Sequence, residues 1–131
     1  MTISHSAAET IQFGRQLAAS LQPDDVLALT GDLGAGKTCL VKGIAVGLGI
    51  TQEVTSPTFT LIHDYGRLVH IDLYRLDTER AAINIGIEDH LPGSGITVIE
   101  WAERITSLLP ASTKHICLTV IDDNTRNIEV K

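Results

Sequence analysis

Residues 31–38 read Gly31-Asp32-Leu33-Gly34-Ala35-Gly36-Lys37-Thr38. This is the pattern G-x-x-x-x-G-K-[ST], in which glycines let successive backbone N–H groups point inward at a phosphate. The helix expected after the loop adds unsatisfied N–H donors and the positive end of its dipole. In this pattern Lys37 reaches the β- and γ-phosphates and the hydroxyl of Thr38 ligates Mg²⁺. The residues predicted to contact the polyphosphate are Gly31, Asp32, Leu33, Gly34, Ala35, Gly36, Lys37, Thr38 and Cys39.

The loop lies between a predicted strand and a predicted helix, which is the context that a phosphate-binding loop needs. Residues 26–30 form a short apolar run, typical of a buried parallel strand. After Lys37, apolar residues recur at helical spacing as far as Leu48. The alternative, a glycine-rich turn with a surface lysine, is disfavoured by these flanking elements.

The rest of the chain alternates predicted strands with predicted helices and adds hairpins on both sides. With 131 residues the chain has enough length for one core, so we expect a single domain over residues 1–131. The fold class expected is α/β, a three-layer α/β/α P-loop NTPase fold with a mixed central sheet. The predicted elements are helices at 7–21, 77–85 and 102–109, a strand at 96–100, and hairpins over 58–73 and 115–130.

Composition narrows the possible function classes. A net charge of −6 argues against direct binding of nucleic acid, which relies on lysine and arginine to neutralise phosphates. No apolar run approaches the roughly 18–20 residues that span a bilayer, and no secretory signal pattern is visible. We therefore expect a cytoplasmic protein without membrane contact. Cys39 and Cys117 do not form a C-x-x-C pair and are expected to be reduced core thiols.

Two apolar runs end in a carboxylate, Asp72 after residues 68–71 and Glu100 after residues 96–99. Each resembles a Walker B strand, whose terminal acid holds a metal-bound water. Nucleotide hydrolysis needs a carboxylate near Mg²⁺ or near the attacking water. Asp72 and Glu100 are therefore candidate catalytic or metal-proximal acids, although a solvent-facing acid at a strand end is the alternative for each.

Two further residues are candidates because of where they lie in the sequence. Thr58 follows Ser56-Pro57, about one element after the P-loop helix, where switch threonines reach γ-phosphate and Mg²⁺. A plain strand-entry turn is an equal alternative for it. Trp101 directly follows Glu100, and a site role stays open beside the usual core-filling role. The histidines show no metal-ligand spacing and are predicted not to be ligands.

Five sequence blocks occur in order, at residues 31–38, 55–61, 70–76, 86–89 and 99–103. Together they resemble the TsaE (YjeE) family, the small ATPases of bacterial tRNA threonylcarbamoyladenosine biosynthesis. The resemblance runs from about residue 10 to residue 128, nearly the whole chain.

The resemblance implies ATP and Mg²⁺ as ligands, slow hydrolysis by the protein alone, and a role beside the TsaB–TsaD heterodimer. That pair transfers the threonylcarbamoyl group, so tRNA is met only indirectly through that complex. By motif, Thr38 would ligate Mg²⁺, and Glu100 and Asp72 would be metal-proximal or catalytic acids. Thr58 would be the switch threonine and Trp101 the tryptophan beside the acid. The N-terminal segment would lie near the base.

Three other classes of protein use a similar P-loop. A small-molecule kinase needs an acceptor site and usually an arginine-bearing lid, and the chain has little room for either. A GTPase-like switch selects its base with an N-K-x-D loop, which the sequence lacks. A non-hydrolysing nucleotide-binding adaptor stays open, because it needs the same phosphate-binding loop.

Overall fold

The structure is a computed structural model that describes residues 2–32, 34–54, 62–76, 78–90 and 95–131. Within these ranges the chain forms strands, α-helices and two 3₁₀ helices. In chain order they are β1 (Thr2–Ser4), α1 (Ala7–Ala18), β2 (Val26–Thr30), α2 (Lys37–Gly47), β3 (Ile62–Asp64), β4 (Leu68–Asp72), α3 (Glu79–Asn84), the 3₁₀ helix Ile87–His90, β5 (Ile96–Glu100), the 3₁₀ helix Ala102–Leu108, β6 (Lys114–Val120) and β7 (Arg126–Val130).

The described strands form one mixed seven-stranded sheet in the order β1-β7-β6-β2-β5-β4-β3. β2 lies between β5 and β6 and runs parallel to both, and β4 runs parallel to β5. β3 and β7 add antiparallel pairs on the two sides. The carboxyl ends of β2, β4 and β5 therefore meet at one edge, where open α/β sheets bind their ligands.

The sheet separates two apolar cores, which confirms the predicted three layers. Because side chains alternate along a strand, Leu27 and Leu29 face one side of β2 while Val26 and Ala28 face the other. The first core is completed by α2, through residues such as Leu40 and Ile44. The second core is closed by α3 and the 3₁₀ helices, through Ala82, Ile87, Ala102 and Ile105.

The two long helices, α1 and α2, touch backbone to backbone through glycines. A Cβ atom built on Gly43 would lie 2.0 Å from the carbonyl oxygen of Ile11, and one built on Gly14 would lie 2.4 Å from that of Leu40. No side chain fits at either position without separating the helices. This contact fixes α2, whose first residue is Lys37, against the rest of the molecule.

The predicted helix boundaries are largely confirmed. Ser6 caps α1 by accepting a hydrogen bond from the Glu9 amide at 3.1 Å. The Glu9 carboxylate, however, accepts from the backbone N–H of His5, one residue earlier than in a standard capping box. α1 ends at Ala18 rather than at residue 21, because residues 19–21 continue with i→i−3 hydrogen bonds.

The structure differs from the predicted elements in the second half of the chain and at its start. The helix expected at 102–109 is a 3₁₀ helix, interrupted at Ile105 by non-helical backbone angles (φ −132°, ψ 33°). β1 was not predicted, because three residues are too few for an alternating pattern to show. The strand at 96–100 and both hairpin partners β6 and β7 are confirmed, with shifts of one residue at most at their starts and ends.

The cysteines are free, as expected, but the prediction that they lie in the core is wrong. Cys39 and Cys117 are both only partly buried. Cys117 alternates with Ile116 and Leu118, which face the first core, so its own side chain lies on the opposite face of β6. None of the described helices is long and apolar enough to cross a membrane.

Substitution of Gly43 by alanine tests the helix contact. In a helix interior, alanine is intrinsically more favourable than glycine by about 1 kcal/mol. Forcing a methyl group against a backbone carbonyl costs about 1–3 kcal/mol or more. We expect a net loss of unfolding free energy, measured by urea denaturation. Val46→Ala, on an exposed position of the same helix, is the control. An increase in stability for Gly43→Ala would contradict the close contact.

Candidate functional site

The predicted phosphate-binding loop leaves the end of β2 and enters the first turn of α2. Gly36 precedes the helix in the left-handed region (φ +97°), which lets the chain turn into α2. Gly31 approaches β6 closely, since a Cβ atom there would lie 2.5 Å from the carbonyl oxygen of Leu118. The unsatisfied N–H groups of the first turn of α2 are therefore presented at the sheet edge.

Lys37 is held inside this loop, with only 5% of its surface exposed. Its Nζ donates a hydrogen bond to the carbonyl oxygen of Gly31 and lies 3.9 Å from the centre of the Trp101 ring. Burial lowers the pKa of Lys37, while the nearby negative charges, Glu100 foremost, oppose that shift. The ammonium therefore lies between the Gly31 carbonyl and the Trp101 indole, inside the predicted phosphate-binding loop.

Trp101 has backbone angles that a bulky residue seldom adopts (φ 60°, ψ 37°). Such a conformation persists only when its surroundings enforce it. Here the turn brings the indole over Lys37, with the Tyr74 ring centre at 5.3 Å and the Arg104 guanidinium at 5.2 Å. Trp101 therefore packs beside the loop lysine as well as against the second core.

Glu100 ends β5 and is 3% exposed, so its carboxylate does not face solvent. Oγ1 of Thr38 donates to Oε2 of Glu100 at 3.4 Å. Nε2 of His70 lies 2.5 Å from the same oxygen, and His70 is fully buried. These two contacts of Glu100 join the first turn of α2 to the end of β5 and to the middle of β4.

Asp72 ends β4 directly opposite Glu100 in the strand register. Residues paired in this way project from the same face of the sheet, so the two acids are neighbours. Asp72 is 8% exposed and accepts a hydrogen bond from the Tyr74 amide at 2.9 Å. Arg104 fixes the segment that follows by donating to the carbonyl oxygens of Tyr74 and Leu76 at 2.7 and 2.8 Å.

A cavity of about 190 Å³ opens beside the loop. Its rim includes Arg126, whose guanidinium donates to the carbonyl oxygen of Gly34 at 3.1 Å. The same group donates to the carbonyl oxygens of Asp122 and Thr125 at 2.7 and 3.1 Å. Arg126 therefore ties the loop to the β6–β7 turn. The residues that line the cavity are Ser6, Ala7, Thr10, Gly34, Gly36, Cys39, Asp123, Asn124 and Arg126.

Most of the sequence-predicted residues come together at this edge. Thr58 and Leu33 lie outside the described residues. Sequence reasoning missed Arg126, which belongs to no motif, and the polar role of His70. The signal available for His70 was a histidine inside an apolar strand, two residues before Asp72. Those brought together are Gly31, Asp32, Gly34, Ala35, Gly36, Lys37, Thr38, Cys39, Asp72, Glu100 and Trp101.

Among the described residues, no group of three or more His, Cys, Asp or Glu side chains could hold a metal ion by itself. Mg²⁺ seldom uses such an all-protein cage and instead combines one or two carboxylates with waters and substrate phosphates. Thr38, Glu100 and Asp72 suit that mode of binding, because they place a hydroxyl and two acids beside the predicted phosphate-binding loop.

Comparison with known proteins gives consistent results. Residues 4–128 match the family model described as Threonylcarbamoyl adenosine biosynthesis protein TsaE. The TsaE protein of Treponema pallidum is 47% identical, over 98% of this chain and 97% of its own length. The TsaE protein of Bacillus subtilis is 42% identical, over 92% and 77% respectively. The crystal structure of YdiB from Bacillus subtilis is similar with a TM-score of 0.82 and 37% identity, over 97% of this chain and 80% of that one.

The burial of Lys37 predicts a cost to stability. In the folded chain its pKa lies below the ordinary value of 10.5. At a pH between the folded and the ordinary pKa, the unfolded chain therefore binds more protons than the folded chain does. The free energy of unfolding should therefore rise with pH across that window. Lys37→Met should raise stability at neutral pH and remove this rise, as measured by urea denaturation at several pH values. Lys42→Met is the control on the same helix, and a less stable Lys37→Met would contradict the interpretation.

Proposed function

This chain belongs to the TsaE family, and from that premise we propose that it is a Mg²⁺-dependent ATPase that serves tRNA threonylcarbamoyladenosine biosynthesis. The observation that carries the proposal is the contact between the Thr38 hydroxyl and the buried Glu100 carboxylate in front of the loop. A hydroxyl at a P-loop helix and a carboxylate at a strand end are the groups that P-loop NTPases use around Mg²⁺.

In this proposal the ATP phosphates lie on the loop N–H groups and on the first turn of α2. Lys37 exchanges its contact with the Gly31 carbonyl for the β- and γ-phosphates, and Trp101 lies beside its Nζ. Thr38 would hold Mg²⁺, with Glu100 and Asp72 on the same side. When bound, the ion neutralises charge on the phosphates. Thr58 is proposed as the switch threonine that approaches the γ-phosphate.

Hydrolysis needs a water aligned with the γ-phosphate, and this positioning is the main task of the protein. Glu100 suits it because its carboxylate is buried, is fixed at Oε2, and lies at the loop. Asp72 is proposed as the second acid, which supports the metal side of the site.

We place the nucleoside of ATP in the cavity beside the loop. The cavity borders Gly34 and Gly36 of the loop and is closed on another side by the N-terminal residues Ser6 and Ala7. This agrees with the family resemblance, in which the N-terminal segment lies near the base.

The partner proposed is the TsaB–TsaD heterodimer, with tRNA bound by that complex and not by this chain. A net charge of −6 supports an indirect role, since direct contact with tRNA would need a basic surface. The protein itself would not transfer the threonylcarbamoyl group. ATP hydrolysis here would instead support repeated turnover by the partner complex.

Calorimetry and a phosphate-release assay test the ATPase. Mg²⁺–ATP should bind the wild type and be hydrolysed slowly. Lys37→Ala should remove binding, whereas Glu100→Gln should retain binding and lower the hydrolysis rate by about 100-fold or more. Glu103→Gln is the matched control, because Glu103 also lies near Lys37 but is exposed. Absence of Mg²⁺–ATP binding by the wild type would overturn the proposal.

Reconstitution tests the partner. Purified TsaB–TsaD, supplied with tRNA and the activated threonylcarbamoyl donor, should complete more than one round only when this chain and ATP are added. The Glu100→Gln variant should not support repeated turnover. Equal product yield with and without this chain would contradict its assigned role, and phosphate transfer to a small hydroxylated metabolite would favour the kinase alternative.

The hydrogen bond from Arg126 to the Gly34 carbonyl oxygen should increase the affinity for nucleotide. Arg126→Ala removes hydrogen bonds to three carbonyl oxygens and leaves the loop less preorganised. We expect the Kd for Mg²⁺–ATP to rise by about tenfold, equivalent to ~1.4 kcal/mol. Arg80→Ala, at an exposed position of α3, is the control. An unchanged Kd would show that these hydrogen bonds do not organise the loop.

A further inference from the structure

His70 lies in the middle of β4, at a position where the strand pattern favours an aliphatic residue. Its neighbours Leu68 and Ile71 are fully buried, and His70 has no exposed surface either. It projects from the same face of the sheet as Leu68 and Asp72. A titratable ring therefore occupies a place in the apolar interior between the first core and the candidate site.

The polar contact of this ring is made at one nitrogen only. Nε2 lies 2.5 Å from Oε2 of Glu100. An ionised carboxylate only accepts hydrogen bonds, so Nε2 is the donor whenever Glu100 is ionised. Nδ1 is buried and has no hydrogen-bond partner among the described residues.

Stability does not account for this pair. Replacing a buried pair of charged or polar groups with apolar side chains of similar volume is often neutral or stabilising. The unpaired Nδ1 makes His70 still less favourable than a leucine would be. The contact with Glu100 is the one feature of His70 that an aliphatic residue could not supply.

The Glu100 oxygen that His70 contacts also accepts from Thr38. His70, Glu100 and Thr38 thus form a continuous chain from β4 through β5 to the P-loop helix. Oε1 of Glu100 accepts no hydrogen bond from the residues that the structure describes. The hydrogen bonds from His70 and Thr38 therefore occupy one oxygen of the carboxylate and leave the other available.

We propose that His70 is a positioning residue, which fixes Glu100 through Oε2 so that Oε1 can align the attacking water. This inference rests on the proposed ATPase function and adds a residue to it. Without the His70 contact, the Glu100 side chain gains rotamer freedom and can turn toward the Lys37 ammonium. Glu100 is the acid that acts most strongly on that ammonium. Hydrolysis then slows because the carboxylate no longer holds one orientation.

The chain contains a natural control for this role. His63 in β3 is the direct register partner of His70 on the neighbouring strand. Its Nδ1 lies 3.2 Å from the Tyr65 hydroxyl, and it has no contact with Glu100 among those described. Removing His63 therefore removes a histidine from the same part of the sheet without releasing the carboxylate.

The test measures single-turnover ATP hydrolysis and the Kd for Mg²⁺–ATP in parallel. His70→Leu, which has no donor, and His70→Asn, whose shorter amide does not reach Oε2, should slow hydrolysis by about 10- to 100-fold, as expected for a residue that orients a catalytic ligand. The Kd should stay near the wild-type value, because His70 itself is not proposed to contact the nucleotide. His70→Gln, whose longer amide can reach Oε2, should recover much of the rate. His63→Leu should hydrolyse ATP at the wild-type rate.

A double substitution separates positioning from general damage. In a Glu100→Gln background, His70→Leu should cause no further loss, because residues that act as a unit are not additive. Wild-type hydrolysis by both His70→Leu and His70→Asn would overturn the inference and leave the ATPase standing. A loss in the Glu100→Gln background as large as in the wild type would overturn it as well. Absence of hydrolysis by the wild type would overturn the proposed function, and the inference with it.

Discussion

The arrangement of the site depends on the hydrogen bonds that the buried carboxylate of Glu100 makes. A charge at 3% exposure is costly unless hydrogen bonds compensate for it, and here Thr38 and His70 both bond to one of its oxygens. Thr38 belongs to the P-loop helix, His70 to β4 and Glu100 to β5. One carboxylate therefore holds three elements in a fixed relation at the sheet edge.

The fold supplies the positions that make this contact possible. β2 and β5 run in parallel as neighbours, so the loop that leaves β2 starts beside the end of β5. The backbone contact between Gly14 and Gly43 then fixes the axis of α2. Lys37 is the opposite charge at the same edge, and its Nζ contacts the Gly31 carbonyl and the Trp101 ring.

Local patterns allowed much of this arrangement to be predicted from the sequence. The strands ending at Thr30 and Glu100 and the helix beginning at Lys37 were found at their observed positions, because apolar runs and the loop motif are local signals. The contacts of Arg126 and His70 could not be predicted, since they join residues 92 and 30 positions apart in the chain. A helix after Trp101 was predicted, but its 3₁₀ form was not, because it follows a residue in the left-handed region that no sequence pattern indicates.

A crystal structure of the chain with Mg²⁺ and a non-hydrolysable ATP analogue would show whether the loop and Glu100 form one nucleotide site. We expect Nζ of Lys37 to leave the Gly31 carbonyl for the β- and γ-phosphates and the ion to lie between the Thr38 hydroxyl and the side of the site occupied by Glu100. We also expect His70 still to donate to Oε2 of Glu100. A nucleotide bound away from the loop, or a metal ion remote from Thr38 and Glu100, would contradict this arrangement.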